Sequence, residues 1–425
     1  MKKLVSLLMA ATMCASLAAC GGSGTAASGS AAESTAASSS TTEAAATSSD
    51  PVSGGELNIP ITDDPTTLQG WMVRNTNETT VAPAIYETLL AYDSTGTPQP
   101  YLLDSFEGDP EALTYTMVVK DGITFQDGTP LDADAVKWNL DYYKENGVLT
   151  GSYFSYVDNV EVVDEKTVVV HMSSWDALFN YGLARTCFIC SPTAVEELGP
   201  DGFNETPVGT GPFKVTKWVH GEGIYTEAYA DYWQGKPYLD SVNFKIYAST
   251  ATQQAAMEVG DLDIMYLTGD AVTADSMEAS GYTITNSSIP DSGHTLCFNS
   301  KADGPLTDVR VRQAIALAVD TDSINAALLS GGKYGTSSTQ WAVSTSGEYS
   351  DIEGYGYDVE KAKSLLAEAG YADGFDLTIN FQVGDFAKSV CQIIQAALGD
   401  IGINVTLNQI EVATNTKYHG KWEGI

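Results

Sequence analysis

Two cysteines have the residue type and spacing that most clearly suggest chemistry. Cys187 and Cys190 form a Cys-x-x-Cys motif, the spacing found in redox-active and zinc-binding sites. A zinc site would need a second such pair or a nearby histidine, and the four histidines of the chain are scattered. Phe188 and Ile189 suit a buried strand better than a redox turn. We expect no metal site and either structural thiols or a local disulfide, with redox or metal chemistry as the alternative.

Two pairs of aspartates have the spacing of carboxylates that could act as acid and base. Asp132 and Asp134 precede an apolar helical pattern and are typical of a capped helix start. Asp261 and Asp263 open a short apolar stretch that is typical of a strand. We therefore expect neither pair to be catalytic.

The glycine patterns of nucleotide-binding loops are incomplete. Gly332-Lys333 would end a phosphate-binding loop, but Ala327 stands where that motif needs its first glycine. Gly209-Thr210-Gly211 lacks the third glycine of a dinucleotide-binding loop, and the Pro212 that follows suits a tight turn. The motifs GxSxG and HExxH are also missing from the sequence. The sequence thus predicts a protein that is not an enzyme and has no cofactor.

The chain is strongly acidic. It has 425 residues with 55 acidic and 21 basic side chains, and its formal net charge is −34. The phosphates of nucleic acid would be repelled by this charge, so we expect no nucleic-acid partner. The charge favours cationic ligands, and a solvated acidic surface is the alternative explanation.

The N-terminus predicts export and lipid attachment. Lys2 and Lys3 precede the apolar stretch Leu4–Ala15, which is too short to span a bilayer. The sequence Leu17-Ala18-Ala19-Cys20 has the small residues and the cysteine of a lipoprotein cleavage site. We predict a signal peptide over residues 1–19 and a lipid on Cys20, with an ordinary signal peptide as the alternative.

The residues after Cys20 predict a tether. Residues 20–53 are rich in Gly, Ser, Ala and Thr, lack aromatic residues, and cannot bury enough apolar surface to fold. A flexible coil of about 33 residues has a root-mean-square reach of roughly 30 Å. We expect the remaining body of the protein to be extracytoplasmic, anchored to the outer face of the bacterial cell membrane by lipidated Cys20.

Periodicity and turn signals predict mixed α and β elements. Helices are expected after the capping residue Asp132, over Thr250–Val259 with Gly260 as its stop, after Thr307 or Asp308, and from Asp358 to a stop at Gly370. Strands and hairpins are expected at Leu113–Val119, Val160–Val163 with Thr167–Met172, Phe213–Val219 with Ile224–Tyr229, and Leu262–Leu267. A short strand is also expected between the turns Asp121-Gly122 and Asp127-Gly128, and Cys297 is expected in a core. A parallel β-α-β unit is expected from Phe375–Phe381, a helix near Ala387–Leu398, and Asn404–Gln409.

The order and wording of several segments resemble one protein family. Thr206–Ile264, which includes TPVGTGPFKV, ADYWQGKPYLD and EVGDLDI, resembles the signature region of the bacterial extracellular solute-binding proteins of the peptide/nickel family. Ile85–Leu90, Asp121–Leu131, His294–Arg312 and Asp358–Phe375 are similar to further segments of that family in the same order. Members of the family are the capture subunits of ABC importers.

The resemblance implies an α/β fold of the two-lobe, periplasmic-binding-protein-like type (Venus flytrap), with mixed sheets and an extra small subdomain. Lobe 1 would be discontinuous, over residues 54–99 and 206–290, with the small subdomain inserted at 100–205. Lobe 2 would cover 291–425. The family pattern continues well past the match at Thr406–Ile425, so we expect an incomplete second lobe, a C-terminally truncated reading frame or a fragment.

The resemblance also implies a function. The chain would be a monomeric lipoprotein that closes its lobes on a small solute and delivers it to an ABC permease, with ATP hydrolysis in a separate subunit. Six residues are expected at the ligand: Trp71, Asn75, Tyr86, Glu87, Tyr153 and Arg185. Plain packing is the alternative for Trp71 and Tyr153, and a surface ion pair for Arg185.

Ligand identity is left open by the sequence. Nickel-type members hold an anionic chelate with arginines in the small subdomain, and Asn146–Tyr156 has neither Arg nor Lys. Short peptides therefore rank first, another small solute second and a nickel chelate third. A peptide-sensing surface receptor without transport and a lipid-anchored hydrolase are the alternatives from other functional classes.

Overall fold

A computed structural model describes residues 51–148, 151–286, 294–301, 303–338, 354–382 and 384–410. The predicted signal peptide, Cys20 and most of the predicted tether lie outside the described residues. The strands are β1 (Glu56–Ile61), β2 (Leu90–Tyr92), β3 (Pro98–Pro100), β4 (Leu103–Asp109), β5 (Thr114–Val119), β6 (Val157–Val162), β7 (Thr167–Met172), β8 (Phe213–Val219), β9 (Gly223–Ala228), β10 (Ser241–Ile246), β11 (Phe375–Gln382) and β12 (Ile403–Ile410).

The α-helices occur singly or in groups between these strands. They are α1 (Thr76–Ile85), α2 (Ala133–Asn146), α3 (Phe179–Arg185), α4 (Pro192–Glu205), α5 (Thr250–Val259), α6 (Ala271–Ala279), α7 (Val309–Ala318), α8 (Thr321–Leu328), α9 (Val359–Glu368) and α10 (Asp385–Gly399). Short 3-10 helices occur at Gly70–Met72, Gly151–Phe154, Pro305–Thr307 and Ser330–Gly332. None of the helices in the described ranges is long and apolar enough to cross a membrane.

A mixed sheet brings together strands that are far apart in sequence. Its order is β1-β10-β9-β8, with β1 parallel to β10 and the other neighbours antiparallel. The predicted hairpin of Phe213–Val219 with Ile224–Tyr229 is confirmed, because β8 and β9 pair antiparallel with Val219 opposite Gly223. Gly223 allows β9 to approach β10 closely, since a Cβ at this position would lie 2.3 Å from the carbonyl oxygen of Phe244.

A second sheet is antiparallel throughout, in the order β4-β5-β7-β6. Tyr115, Met117 and Val119 of β5 are buried, as the alternation of the sequence predicts for a half-buried strand. The predicted β6–β7 hairpin is confirmed. Helix α2 packs on this sheet and begins at Asp132, whose side chain accepts a hydrogen bond from the Ala135 amide as predicted for a capping residue.

A parallel β-α-β unit forms the later part of the described chain. Strands β11 and β12 pair in parallel with Phe375 opposite Ile403, and α10 connects them, which confirms the sequence prediction. Helices α7 and α9 begin at Asp308 and Asp358, the predicted capping residues. The buried side chains of this part form their own hydrophobic cluster: Val311, Ala314, Ile315, Leu317, Ala318, Ala362, Leu366, Ile379, Cys391, Ile394, Leu398, Ile401, Ile403 and Val405.

Three local predictions are wrong. Leu262–Leu267 is not a strand. Oδ2 of Asp263 accepts a hydrogen bond from the Asn58 amide, and a strand paired with β1 on this side would need that amide as a donor. Between Gly122 and Asp127 there is only an isolated bridge from Thr124 to Pro130. Cys297 is exposed instead of lying in a core.

Candidate ligand site

Two hydrophobic clusters occupy successive parts of the chain. The first runs from Ile61 to Phe244 and includes both four-stranded sheets, and the second runs from Val311 to Val405. Ligand sites form preferentially between such units. Residues 261–270 leave the first cluster on the way to the second, and we name them the connecting segment.

The connecting segment exposes apolar side chains where it leaves the first cluster. Leu262 is buried, and Asp263 is bound to β1 because the amide and the Nδ2 group of Asn58 donate to its Oδ2 at 2.8 and 3.1 Å. Ile264 and Tyr266 follow, with 38% and 53% of their surface exposed. A tyrosine offers a ligand both apolar area and a hydrogen bond. Our sequence analysis missed Tyr266, although it lies only two residues after the EVGDLDI motif of the family resemblance.

The far end of the connecting segment contacts the later part of the chain. Gly269 has a φ of 68°, and a Cβ at this position would lie 2.4 Å from the ring of Phe386 in α10. The ring of His294 lies 4.9 Å from the same phenylalanine. Glycine is therefore required at residue 269 for both its backbone conformation and its space.

Trp71, one of the predicted ligand residues, lies in a buried aromatic group. Its ring centroid is 4.9 Å from that of Tyr142 and 5.3 Å from that of Phe203. Its carbonyl oxygen accepts a hydrogen bond from the Val148 amide at 3.0 Å. With 4% of its surface exposed, Trp71 packs against α2 and α4 in this structure.

Asn75 forms the start of helix α1. Its Oδ1 accepts from the Glu78 amide at 3.1 Å, and the Glu78 carboxylate accepts from the Asn75 amide in return, which makes a capping box. Glu78 is buried and also accepts from the Thr66 hydroxyl at 2.5 Å and from the Arg74 amide at 2.7 Å. One carboxylate thus fixes the loop 66–75, while Asn75 stays exposed.

Tyr86 is fully buried at the end of α1. Its hydroxyl donates to the carbonyl oxygen of Leu68 at 2.7 Å, and burial raises the pKa of this phenol well above its usual value. The Gly209-Thr210-Gly211 sequence lies against it: a Cβ on Gly209 would be 2.3 Å from the Ile85 carbonyl oxygen, and the Gly211 amide donates to that oxygen at 2.9 Å. These glycines therefore permit close backbone packing.

Glu87 follows Tyr86 in sequence, but its side chain lies in a different cluster. Its Oε1 accepts from the hydroxyls of Tyr101 and Tyr232 at 2.9 and 2.5 Å, and its Oε2 accepts from Nε1 of Trp233 at 2.8 Å. Its exposed fraction is 7%. Burial and the hydrogen bond to Glu87 raise the pKa of Tyr232, so the phenol remains a donor. Sequence analysis missed the three donors, although the DYW sequence was quoted for the family resemblance.

Tyr153 lies in the 3-10 helix Gly151–Phe154, and Arg185 lies in the neighbouring helix α3. The Tyr153 side chain is partly exposed and covers Gly182 of α3, where a Cβ would lie 2.4 Å from its ring. Arg185 is exposed at the last position of α3. Its guanidinium makes no hydrogen bond or ion pair with another described residue. Of the predicted residues, Trp71 and Tyr86 share Phe203 as a neighbour. The other four make the separate contacts described above.

The two cysteines of the Cys-x-x-Cys motif, Cys187 and Cys190, are free and buried thiols in this structure. Their backbone is extended, because Phe188 bridges to Thr88 and Cys190 bridges to Gly209. Burial raises the pKa of both thiols, so neither is an activated thiolate. Asn139 fixes the strand by accepting from the Cys190 amide and donating to its carbonyl oxygen, both at 2.9 Å. In the described part of the chain, no group of three His, Cys, Asp or Glu side chains is arranged to hold a metal.

Comparison with known proteins decides the family. The profile of the bacterial extracellular solute-binding proteins, family 5 Middle, matches residues 97–423. The chain belongs to this family. Its members are the solute-capturing components of ABC importers, and the mixed α/β sheets described above are those of the two-lobe periplasmic binding proteins. The family acts outside the cytoplasm.

Individual relatives agree with this assignment. The glutathione-binding protein GsiB of Pectobacterium atrosepticum is 28% identical over 353 residues, which cover 81% of this chain and 67% of GsiB. The solved structure of AgaA from A. tumefaciens R10 in complex with agropinic acid is 30% identical, with a TM-score of 0.68 over 87% of this chain and 75% of AgaA. The oligopeptide-binding protein AppA of Bacillus subtilis, in complex with a nonapeptide, is 25% identical, with a TM-score of 0.67 over 86% of this chain and 77% of AppA. These relatives are binding proteins by name.

Proposed function

We propose that this protein captures short peptides between its two lobes and delivers them to an ABC permease. Two relatives support peptides as the ligand: one is named as a glutathione-binding protein and one as an oligopeptide-binding protein. Glutathione is itself a short peptide. The exposed Ile264 and Tyr266 offer the apolar area that such a ligand would cover. The relative that binds agropinic acid favours a different small solute as the second candidate.

The first experiment is mass spectrometry of small molecules that co-purify with the protein. The full chain is purified without refolding, denatured to release its ligand, and compared with a mock purification. A series of short peptides is expected. A single sugar-derived acid or a metal chelate in their place would contradict peptide capture, while the solute-binding function would stand.

We propose Tyr266 as a direct ligand contact together with Tyr153 and Arg185, which are partly or fully exposed. Tyr266→Ala should weaken binding of the co-purified ligand, measured by calorimetry, without changing the thermal midpoint. Tyr238→Ala is the matched control, because Tyr238 is 60% exposed and its described hydrogen bond is made by the backbone carbonyl. Equal affinity of the two variants would exclude a direct contact at Tyr266.

Trp71, Asn75, Tyr86 and Glu87 are proposed to support the site by holding the wall on which a ligand rests. Asn75 allows the two roles to be separated. Asn75→Ser keeps a side-chain acceptor for the cap but shortens the group, whereas Asn75→Ala removes the cap and costs about 1 kcal/mol of stability. If the serine variant keeps full stability but loses ligand, Asn75 touches the ligand directly.

Lipid anchoring through Cys20 belongs to the same proposal. The small-residue cleavage site before Cys20 supports it. Cys20→Ser should move the protein from the membrane fraction to the soluble fraction of the producing bacterium. Unchanged membrane association would contradict the anchor.

We further propose that the protein is a monomer without catalytic activity and that it serves transport. A purified sample should bind model peptides for hours without cleaving them, and turnover would favour the hydrolase alternative. Deleting the gene should abolish uptake of the labelled ligand. Normal uptake with a lost transcriptional response to the ligand would favour sensing.

A further inference from the structure

Strand β6 is an edge strand of the antiparallel sheet β4-β5-β7-β6. Just beyond β6, the Val163 amide donates to the Thr167 carbonyl oxygen at 2.9 Å. In an antiparallel pair, such directly bonded residues alternate with residues whose main-chain groups point away from the partner strand. Counted back along the register, Val160 opposite Val170 is of the second kind. The amide and carbonyl groups of Val160 therefore point out of the sheet edge, where another strand could pair with them.

Two lysines of α2 cover this edge. Nζ of Lys137 donates to the Val160 carbonyl oxygen at 2.8 Å, and Nζ of Lys144 donates to the Asp158 carbonyl oxygen at 3.0 Å. The Asp141 carboxylate lies 2.7 Å from Nζ of Lys137 and holds this lysine in place from the same helix. Although Val160 belongs to an edge strand, only 2% of its surface is exposed. Helix α2 thus closes the main chain of β6 against further pairing.

The same edge is also bent by a β-bulge. Asp158 is an extra residue of β6 that has no partner in β7. Bulges and lysine side chains are both means by which natural proteins keep sheet edges from pairing with other chains. The edge strands β4 and β8 have extra residues too, at Asp104 and Thr216. In β6 the bulge is combined with hydrogen bonds from lysines, which indicates an edge that needs more than a bulge.

Without these lysines, β6 fits a copy of itself. In an antiparallel pairing around a two-fold axis at Val160, the two Val160 residues would exchange both main-chain hydrogen bonds. Asn159 of one copy would then face Glu161 of the other, and Asp158 would face Val162. Because no two carboxylates stand directly opposite each other, side-chain charge does not forbid this register. The partner that this edge fits is therefore a second copy of the chain.

We infer that Lys137 and Lys144 block the edge of β6 and so prevent two copies of this protein from joining their antiparallel sheets. Their ammonium groups occupy the carbonyl oxygens that a pairing strand would need as acceptors. A second β6 would have to displace charge-assisted hydrogen bonds, which are stronger than the neutral ones it would make. The inference rests on the proposal that the protein is a monomer, and it is independent of which solute is bound.

Size-exclusion chromatography with light scattering tests the inference on the double variant Lys137→Met, Lys144→Met. Methionine keeps the length and the apolar part of the side chain but cannot donate a hydrogen bond. The full chain carries Cys20→Ser so that no lipid drives association, and about 0.5 M NaCl screens the repulsion between two acidic copies. We expect a concentration-dependent dimer for this variant and a monomer for the parent chain.

The matched control is the double variant Lys361→Met, Lys363→Met on α9. It loses the same charge, and within the described ranges neither lysine donates to a main-chain carbonyl oxygen. We expect this control to stay monomeric. Dimerisation of the control to the same extent would overturn the inference, as would a methionine variant of Lys137 and Lys144 that is folded by circular dichroism and remains monomeric. If that double variant unfolds, Lys137→Met alone, which opens Val160, is measured with the same criteria.

A spin label at Val163 tests where the copies join. Val163 is 56% exposed, and exposed Cys297 is replaced by serine so that the label is unique at the surface. Val163 of one copy would face Val157 of the other, six residues from the second label, so a pulsed electron–electron distance of about 20 Å is expected. A dimer without this distance would overturn pairing through β6. A parent chain that is already dimeric but lacks this distance would contradict the monomer proposal alone, because its β6 edge would still be closed.

Discussion

Glu87 places a carboxylate in the protein interior, where an unpaired charge would be strongly unfavourable. Two phenols and an indole donate to it, and these donors come from Tyr101, Tyr232 and Trp233. The carboxylate therefore ties the start of the β2 hairpin to the chain that follows β9. Its structural role is measurable independently of any ligand.

Replacing Glu87 by alanine should lower the free energy of unfolding by roughly 2–4 kcal/mol, because buried donors lose an acceptor. Urea denaturation followed by tryptophan fluorescence measures this. Glu258→Ala is the control; Glu258 is exposed at the end of α5, and a change within about 0.5 kcal/mol is expected. An unchanged midpoint for Glu87→Ala would show that the cluster does not stabilise the fold.

The cysteines should differ in reactivity. Burial raises the pKa of Cys187 and Cys190, whereas Cys297 is exposed. Iodoacetamide at pH 8 should label Cys297 in the native protein and the buried pair only after denaturation, as read by peptide mass spectrometry. Because the folded pKa is raised, the stability due to these thiols is complete below their unfolded pKa of about 8.5 and declines as pH rises above it. Rapid native labelling of the pair would contradict their burial.

The end of a helix can require glycine because of the backbone conformation there. Gly260 ends α5 with a φ of 80°, in the left-handed region that costs other residues energy. Gly260→Ala should destabilise the protein by about 1 kcal/mol. Gly399→Ala, at the end of α10 with open space around its Cβ position, should be neutral or stabilising by up to about 1 kcal/mol. Thermal denaturation compares the two, and equal effects would argue against the conformational explanation.

On the scale of the whole molecule, the charge of −34 opposes compactness through repulsion between carboxylates. Salt screens this repulsion, with a screening length of about 10 Å at 0.1 M. We expect the thermal midpoint to rise as NaCl increases from low concentration to about 0.3 M, measured by differential scanning fluorimetry. A falling midpoint would show that attractive ion pairs, such as those of Lys333 with Asp275 and Glu278, outweigh the repulsion.

The sequence by itself determined the helix ends, several of the strands and the family. The caps at Asp132, Asp308 and Asp358 and the stop at Gly260 were predictable, because each depends on residues within one or two turns of the chain. The β-α-β unit was predictable for another reason: a strand, a helix and a strand follow one another directly, and such a connection joins parallel neighbours. The family was predictable because its motifs are contiguous segments.

The tertiary structure decided which distant residues meet. Glu87 finds Trp233 across 146 positions, and Asp263 reaches back 205 positions to Asn58, where it ends the expected strand. Tyr86 and Trp71 become buried because loop 66–75 folds against α4, a contact that neither residue's neighbours in sequence indicate. Local patterns encode backbone conformation within a few residues, whereas burial and partners depend on the path of the whole chain, which short-range periodicity does not specify.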